Sequence, residues 1–359
     1  MTNKTNILVT GAGGKTGGAT VRALLNHKNV HVRAMVRKDD HRASALRELG
    51  AEVIIGNMED IRDVRQAMHN VQRAYLMTPM VPNSLDQAMN FAYAAQEAKL
   101  EHVVLLGQWL SSSSHPSILT RRQWLIDRLV SWIPDVDHTI INVGWFADNY
   151  MAVLGTASQL GVFPMPIKGN TAPIDHLDIG RVAAGVLVNP APYKGRTLRP
   201  TGPKLLTPQQ VADTFGEVLG RKVQHKFVPE KILSKSLQAS GADPFYHAQV
   251  LHYVREYHQG SFEFGAPSDV VLEVTGSPAE DFASIVRRYV AQDQTTQRSF
   301  GNKLRAILQM IRTMWASPFN IKEWEAENNM PFIEAHEECV DSNDWQDTHA
   351  HEKAFWVNS

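Results

Sequence analysis

The apolar positions at the start of the chain follow two patterns in succession. Residues 7–9 form a continuous apolar run, and Val21, Leu24 and Leu25 then recur at the spacing of one helix face. A short uninterrupted run is typical of a strand buried on both faces of a parallel sheet, whereas the second spacing is typical of an amphipathic helix. Residues 7–25 therefore predict a strand that leads directly into a helix.

The same alternation continues over the next hundred residues. Strands are predicted at 30–36, 52–55, 74–77, 102–106 and 139–143, and helices at 42–49, 61–68, 85–98 and 120–130. Strands and helices that alternate at this spacing form βαβ units with right-handed crossovers. We therefore predict an α/β fold with a Rossmann-type doubly wound parallel sheet.

The loop between the first strand and the first helix carries a strong chemical signal. Its residues are Gly11, Gly13, Gly14, Lys15, Thr16 and Gly17. Glycines at every third position let a pyrophosphate approach the backbone, and the following helix directs its first N–H groups at the anion. Because the pattern follows a strand and opens a helix, it favours dinucleotide binding over an ordinary glycine-rich turn. The Gly-Lys-Thr sequence comes too early for a Walker A loop.

The residues after the second strand bear on the choice of cofactor. Arg37 and Lys38 come first, and Asp39 follows. An arginine at this point accommodates the 2′-phosphate of NADP, whereas an acidic residue holds the ribose hydroxyls of NAD. We expect Arg37 and Lys38 to bind NADP(H), with Lys15 and Arg33 adding positive charge. NAD(H), held by Asp39, is the less favoured alternative.

Further candidate contacts follow from the topology of the predicted sheet. Ligands of doubly wound folds bind beyond the carboxyl ends of the strands. The residues at those ends are Asn57, Met58, Thr78, Pro79, Gly107, Gln108, Trp145 and Phe146. The last two are expected to wall a nicotinamide pocket, although an aromatic pair here could equally belong to the core.

The regular alternation ends near residue 150, which predicts the division into domains. We expect residues 1–150 to form an NAD(P)-binding Rossmann domain, to which part of 174–190 returns. Residues 151–290 are expected to form a smaller α/β lobe that covers the substrate, and its last part, 269–289, predicts a final strand, a turn and a closing helix. Residues 291–359 are expected to form a helical and polar C-terminal extension.

The extension contains one amphipathic segment. Leu304, Ile307, Leu308 and Ile311 share a helix face with basic residues around it, so we expect this helix to dock on the body or on a second copy of the chain. The second choice would make a homo-oligomer. The histidines and the cysteine of the extension match no standard zinc spacing, so no metal site is expected. They are His336, Cys339, His349 and His351.

The composition excludes several classes of protein. The 359 residues are 43% hydrophobic and 20% charged, the net charge is −1, and no long basic run indicates a nucleic-acid partner. The apolar windows are too short to span a bilayer and we expect no signal peptide, so no membrane partner is expected. The single cysteine excludes an internal disulfide and favours a cytoplasmic location.

Six stretches together resemble the NmrA-like family of atypical short-chain dehydrogenases/reductases. They are VTGAGGKTG at 9–17, AMVRK at 34–38, YLMTP at 75–79, VGWFADN at 143–149, DIGRVAAGVL at 178–187 and TGPKLLTPQQVADTFGEVLGRKV at 201–223. The resemblance covers residues 6 to about 290, or about four-fifths of the chain. It implies a Rossmann domain with a small C-terminal lobe, binding of NADP(H) more often than NAD(H), and a cleft between the lobes for a substrate or regulatory ligand.

Three features, at four positions, depart from the pattern that this resemblance implies. Asn57 stands where the family usually has an aspartate, and Gly107 and Gln108 replace a common serine pair. Arg122 takes the place of a lysine on the next helix. The resemblance therefore places Gln108 and Arg122 at the catalytic positions. The chain contains no Tyr-x-x-x-Lys sequence, so it lacks the usual proton donor of short-chain dehydrogenases.

Two functions from different classes remain open. An NADPH-dependent oxidoreductase would transfer hydride to an electron-poor small molecule, because a quinone, azo compound, iminium ion or conjugated alkene needs no concerted proton donor. A regulator would bind NADP(H) without turnover and could fill the space beside the nicotinamide with Trp109, Trp145, Phe146 or Tyr150. We favour the reductase.

Overall fold

The computed structural model describes residues 4–330 and 333–350. Within these ranges the strands are β1 (Thr5–Val9), β2 (Val30–Val36), β3 (Glu52–Ile55), β4 (Arg73–Met77), β5 (His102–Gln108), β6 (Asp137–Val143), β7 (Val162–Met165), β8 (Thr197–Leu198) and β9 (Gln224–Phe227). The helices up to residue 160 are α1 (Lys15–Leu25), α2 (His41–Glu48), α3 (Ile61–Met68), α4 (Ser84–Glu97), α5 (Ile118–Ser131), α6 (Asp148–Met151) and α7 (Leu154–Leu160).

The later part of the chain is mostly helical. Its helices are α8 (His176–Val188), α9 (Pro208–Leu219), α10 (Glu230–Ala239), α11 (Pro244–Gln259), α12 (Val270–Thr275), α13 (Phe282–Gln292), α14 (Phe300–Trp315), α15 (Ile321–Glu327) and α16 (Asn343–Ala350). Short 3-10 helices lie at Ala191–Tyr193, Gln294–Thr296 and Cys339–Asp341. None of the described helices combines the length and the apolar character that crossing a bilayer requires.

Seven strands form one parallel sheet in the order β3-β2-β1-β4-β5-β6-β8. Its first six strands have the order of the doubly wound Rossmann fold, which confirms the predicted fold class. The fifth strand runs two residues further than predicted, so Gly107 and Gln108 lie inside the sheet and pair with Asn142 and Val143 of β6. Strands β7 and β9 form a separate two-stranded parallel sheet.

Apolar clusters cover the two faces of the large sheet. One face packs against α1 and α8, where Gly180 of α8 allows a close approach. A Cβ atom at Gly180 would lie 2.7 Å from the Cβ of Ala19, so a larger residue would force the two helices apart. The other face packs against α3, α4 and α5. A third cluster, rich in aromatic rings, lies beyond the carboxyl end of β6 and includes Cys339 and Trp345 of the extension.

The predicted strand near residue 270 is wrong, because residues Val270–Thr275 form α12. Val270 and Val271 are buried, and the helix packs against α8 and ends at Gly276, whose φ is +71°. A run of three apolar residues, Val270, Val271 and Leu272, carries too little periodicity to separate a strand from one turn of helix. The packing against α8 decides the conformation.

The amphipathic segment contacts the body, which is one of the two predicted alternatives, but not through its apolar face; docking on a second copy of the chain stays a prediction. Helix α14 packs against α7 and α10, but its buried residues are Ala306 and Thr313. Leu304 and Ile311 are 45% and 46% exposed. The helix therefore rests on the protein through its small and polar side.

Candidate functional site

The glycine loop has the backbone geometry of an anion cradle. Gly11 has φ +61°, a conformation that favours glycine, and its carbonyl accepts the N–H of Gly14 at 2.9 Å. A Cβ at Gly17 would lie 2.3 Å from the same carbonyl oxygen, so only glycine allows α1 to start so close to the loop. Helix α1 has no side-chain cap at Gly14, which leaves the N–H groups of its first turn for a ligand.

The two side chains that follow the loop point in different directions. Lys15 is the first residue of α1, and its Nζ lies 2.5 Å from Oδ2 of Asp148 at the start of α6. The Lys15 side chain is 65% exposed, whereas Thr16 is buried against the sheet. The ion pair therefore joins the glycine loop to the segment that follows β6, across the carboxyl edge of the sheet.

The end of β2 presents the cationic groups that the sequence indicates. Arg37 and Lys38 are exposed, and Asp39 forms an ion pair with Arg47 of α2 at 2.7 Å. Hydrogen bonding to Arg47 lowers the pKa of Asp39. Because this carboxylate already has a cationic partner, it is less available for the ribose hydroxyls of NAD.

Two arginines are placed differently from the sequence analysis. Arg33 pairs with Glu52 at 3.0 Å and donates to the carbonyls of Ala67 and His69, so it does not join the patch at the end of β2. Arg42, which the sequence analysis assigned to a charged helix, lies beside the glycine loop. Its Nε would be 4.0 Å from a Cβ at Gly13. The position of Arg42 in the first helical turn after the second strand is the sequence signal that could have indicated this contact.

Asp40 fixes the orientation of this arginine. Its carboxylate accepts hydrogen bonds from the Arg42 guanidinium and caps α2 by accepting the N–H groups of Arg42 and Ala43. The guanidinium lowers the pKa of Asp40. A cation held in this way is pre-positioned beside the loop.

The predicted contacts at the ends of β3 and β4 lie along the same edge of the sheet. Asn57 is exposed, and its Oδ1 accepts the N–H of Glu59, so its side chain stabilises a local turn. The carbonyl of Met58 accepts a hydrogen bond from Asn90 of α4. Thr78 is partly buried and Pro79 is exposed.

Gln108 is held by a residue that the sequence analysis missed. Tyr253 of α11 donates its hydroxyl to Oε1 of Gln108 at 2.6 Å. Because the amide oxygen is occupied, the two N–H groups of the Gln108 amide are the donors that remain. Burial raises the pKa of Tyr253, so the phenol keeps its proton and acts as a hydrogen-bond donor. No local sequence signal connects residues 145 positions apart.

The position before Gln108 requires a glycine. A Cβ at Gly107 would lie 2.2 Å from Oδ1 of Asn142 and 3.3 Å from Oδ1 of Asp127. The serine that the family resemblance implies at this position would therefore require the Asn142 side chain to move. Asp127 is fully buried and accepts hydrogen bonds from Ser111 at 2.6 Å and Gln123 at 2.8 Å. Burial raises its pKa to about 7.

Arg122, the second predicted catalytic residue, forms a different contact. Its guanidinium donates to the carbonyl of Pro82, in the loop that leads into α4. Burial lowers the pKa of Arg122, and Asp86 opposes this effect. The structure thus joins Gln108 to α11 and Arg122 to the loop after β4, with no hydrogen bond between the two.

The aromatic residues around β6 are mostly core. Trp145 is 6% exposed, and its ring packs edge-on against Tyr257 and Phe262. Trp109 and Tyr150 are buried as well. Of the pair expected to wall the nicotinamide pocket, Phe146 is the partly exposed member. The core alternative therefore applies to Trp145.

A buried polar cluster joins the extension to the body. His115 accepts the N–H of Ser117 at Nδ1, so its proton is on Nε2, which lies 3.0 Å from Oε1 of Glu256. The same carboxylate accepts the N–H of Cys339 at 2.8 Å and the hydroxyl of Ser261. These hydrogen bonds hold the pKa of Glu256 well below its usual range.

The metal-binding potential of this cluster is low, although one ligand atom each from His115, Glu256 and Cys339 falls within 4.8 Å of the others. The His115 nitrogen that faces the carboxylate carries a proton, and the Cys339 thiol lies 3.4 Å from the carbonyl of Leu110. His349 instead stacks on Trp345, and His351 lies outside the described residues. The cluster stabilises the attachment of the extension.

The sheet order, the glycine loop and the cations at the end of β2 can be compared with those of known protein families. The pattern of the NmrA-like family matches residues 3–281. The chain belongs to the NmrA-like family. The match ends before α14, so the extension that carries α14, α15 and α16 lies outside it.

Three known proteins illustrate the range of the NmrA-like relatives. The NAD(P)H azoreductase of Xenophilus azovorans is 25% identical over 79% of this chain and 98% of its own. The NADPH-dependent quinone oxidoreductase QOR2 of Escherichia coli, solved with NADPH, has a TM-score of 0.69 and 21% identity over 79% of this chain and 99% of its own. NmrA, a negative transcriptional regulator solved with NAD, has a TM-score of 0.67 and 16% identity over 83% and 99%. The two structural similarities show a shared fold.

Proposed function

We propose that this NmrA-like protein is an NAD(P)H-dependent oxidoreductase that prefers NADP(H) and transfers hydride to an electron-poor small molecule. The acceptor classes are quinones, azo compounds, iminium ions and conjugated alkenes. The observation that carries the proposal is the hydrogen bond from Tyr253 to Gln108 at the carboxyl end of β5. It leaves the amide N–H groups of Gln108 as donors at the sheet edge where the ligands of this fold bind.

The cofactor supplies the hydride, and the residues of the chain bind and orient it. The glycine loop and the first turn of α1 hold the pyrophosphate. Arg37, Lys38 and Arg42 hold the 2′-phosphate. The similarity to an NAD(P)H azoreductase and to an NADPH-dependent quinone oxidoreductase supports a nicotinamide cofactor. Residues 1–150, with 174–190, form the cofactor-binding part, and residues 151–290 cover the substrate.

The hydrogen-bonding groups at Gln108 favour acceptors that need no concerted acid. An amide N–H stabilises developing negative charge but does not give up its proton readily, and Arg122 stays charged. Two further side chains that could donate a proton, Tyr150 and His115, are buried and already hydrogen-bonded: Tyr150 to Thr171 and Tyr257, and His115 to Glu256. Water then protonates the product after hydride transfer.

The test is steady-state oxidation of NADPH by the purified protein. One quinone, one azo dye, one iminium compound and one enone are compared with an unactivated ketone of similar size. We expect turnover with at least one of the first four, and at least tenfold lower kcat/KM with the ketone, because a positioned acid typically contributes about 10²- to 10⁴-fold. Faster reduction of the ketone would contradict the proposal. NADPH binding with no turnover of any acceptor would favour the cofactor-sensing regulator.

A further inference from the structure

Helix α14 turns its apolar side away from the protein. Its buried residues are Ala306 and Thr313, and Phe300 and Trp315 at its two ends are 85% and 86% exposed. Large apolar side chains that are 38% to 86% exposed cover the helix: Phe300, Leu304, Ile307, Leu308, Met310, Ile311, Met314 and Trp315. A contiguous apolar patch of this extent on one protein marks an interaction site.

The patch is a broad arc rather than a narrow seam. At about 100° per residue, Met310 and Leu308 mark its edges about 160° apart, and Phe300 and Ile311 lie near its centre. Ala306 and Thr313 lie outside the arc, about 120° to 140° from its centre, on the side that is buried against the protein. A pair of helices packed through a coiled-coil seam uses a narrower stripe. The width of the arc suits an apolar medium that surrounds half of the helix.

The charged residues of the segment that carries α14 have one sign. The segment from Gln294 to Lys322 contains no aspartate or glutamate, and its basic residues are Arg298, Lys303, Arg305, Arg312 and Lys322. Lys235 of α10 adds a further cation, since its Nζ donates to the carbonyl of Met314 at 2.7 Å. A second copy of the chain would bring this positive region against itself. An anionic surface is complementary to it.

We propose that α14 docks in the plane of an anionic lipid surface. Its apolar arc enters the boundary between headgroups and acyl chains. Lys303 lies within the arc near its Met310 edge and extends its ammonium group to the anionic headgroups, and Arg305 and Arg312 contact the headgroups from beyond the Leu308 edge. Phe300 and Trp315 anchor the two ends, because aromatic rings favour this depth. The sequence analysis expected no membrane partner because no apolar segment is long enough to span a bilayer. A helix that lies in the plane of the membrane does not need such a segment.

The test is flotation of the full-length protein with lipid vesicles. We expect at least tenfold more bound protein on vesicles with about 30% phosphatidylglycerol than on pure phosphatidylcholine, with binding reduced by added salt. Phe300→Ser combined with Trp315→Ser should lower binding at least tenfold. Lys303→Gln, Arg305→Gln and Arg312→Gln should each lower it about fivefold.

The control is Leu272→Ser, which removes an exposed apolar side chain from α12, outside the α14 patch, and should leave binding unchanged. Circular dichroism and the thermal midpoint check that each variant folds, which is expected because the replaced side chains of α14 are exposed. Equal recovery of the wild-type protein with both kinds of vesicle would overturn the proposal. A second result would also overturn the proposal: the protein is a dimer that does not bind vesicles, and Ile311→Ser converts it to a monomer. Helix α14 would then be an interface between two copies of the chain. Neither readout depends on turnover.

Discussion

The two halves of the candidate site are assembled in different ways. The cofactor half, around the glycine loop, depends on backbone contacts within a few residues, such as the bond from Gly14 to Gly11. The catalytic half depends on a side-chain contact between Gln108 and Tyr253, which are 145 residues apart. The local spacing of residues in the sequence therefore predicts the cofactor half, but it does not predict the contact that forms the catalytic half.

The largest effect is expected in the cofactor half, from Gly14→Val. A Cβ at this position would lie 3.2 Å from the carbonyl of Gly11, and the branched side chain would occupy the space that the pyrophosphate needs. We expect NADPH affinity to fall by about 10³-fold, measured by cofactor fluorescence, since most of the contacts to the pyrophosphate are made by this loop. The far-ultraviolet circular dichroism should not change.

The matched control is Gly301→Val, because a Cβ at Gly301 meets no atom within 4 Å. It should bind NADPH like the wild type. If Gly14→Val kept its affinity, the loop would be a structural turn and the proposed cofactor half would be misplaced.

The next effect is expected in the catalytic half, from Gln108→Ala. Loss of one donor to developing charge typically lowers kcat by about 10²- to 10³-fold, so we expect about 10². Tyr253→Phe keeps the ring and removes only the bond that orients the amide, so its kcat should fall by about tenfold with NADPH affinity unchanged.

The exposed Tyr93 of α4 provides the control for this pair of variants. Tyr93→Phe removes an exposed hydroxyl whose hydrogen-bond partner is Arg65 of α3, and it should leave kcat unchanged. Full activity of Gln108→Ala would show that the amide does not touch the reacting atoms.

The sequence predicted the sheet and the cofactor half because both have local signatures. Buried parallel strands are continuous apolar runs, and the glycine loop needs glycine at Gly11 and Gly17 for geometric reasons that leave a visible pattern. Arg42 was missed although it lies close to the loop, because a charged residue in a first helical turn usually faces solvent. Its side chain is directed by Asp40, which sequence spacing alone does not reveal.

The rest could not be predicted because long-range packing decides it. Trp145 follows a strand end like any pocket residue, but Tyr257 and Phe262 from the later chain enclose it. The amphipathic period of α14 was clear, yet a period does not show which side faces the body. Helix α12 owes its conformation to α8. In each case the deciding contact lies far away in the sequence.

A third effect, smaller than the loss of turnover, concerns the buried carboxyl group beneath the catalytic half. The pKa of Asp127 is about 7 in the folded protein, against about 3.9 in an unfolded chain. Between these two pKa values Asp127 is protonated in the folded protein and ionised in the unfolded chain. The stabilisation from the protonated Asp127 is therefore complete below pH 4 and is lost as the pH rises to 7. The contribution of Asp127 to the free energy of unfolding should fall by about 2 kcal/mol between pH 5 and pH 7, measured as the difference between the wild type and Asp127→Asn.

Asp127→Asn should remove most of this fall, as measured by urea unfolding at several pH values. Asp213→Asn, which replaces an exposed carboxylate of α9, is the matched control and should keep the wild-type slope. An unchanged slope in Asp127→Asn would mean that Asp127 is ionised in the folded protein, and the catalytic half would then be more polar than its burial indicates.

The smallest effect sharpens the cofactor half and concerns the choice between NADPH and NADH. We expect NADPH to bind at least tenfold more tightly, because a charge-assisted bond to the 2′-phosphate is worth about 1.5 to 3 kcal/mol. Arg37→Ala should remove most of this difference and leave NADH affinity unchanged, as measured by thermal midpoint shifts at equal cofactor concentration.

The control is Lys28→Ala, which removes an exposed cation before β2, at the opposite end of the strand, and should preserve the preference for NADPH. If Arg42→Ala abolished the preference and Arg37→Ala did not, the phosphate would be bound from α2. Equal shifts from the two cofactors in the wild type would assign the ribose to Asp39, in competition with Arg47.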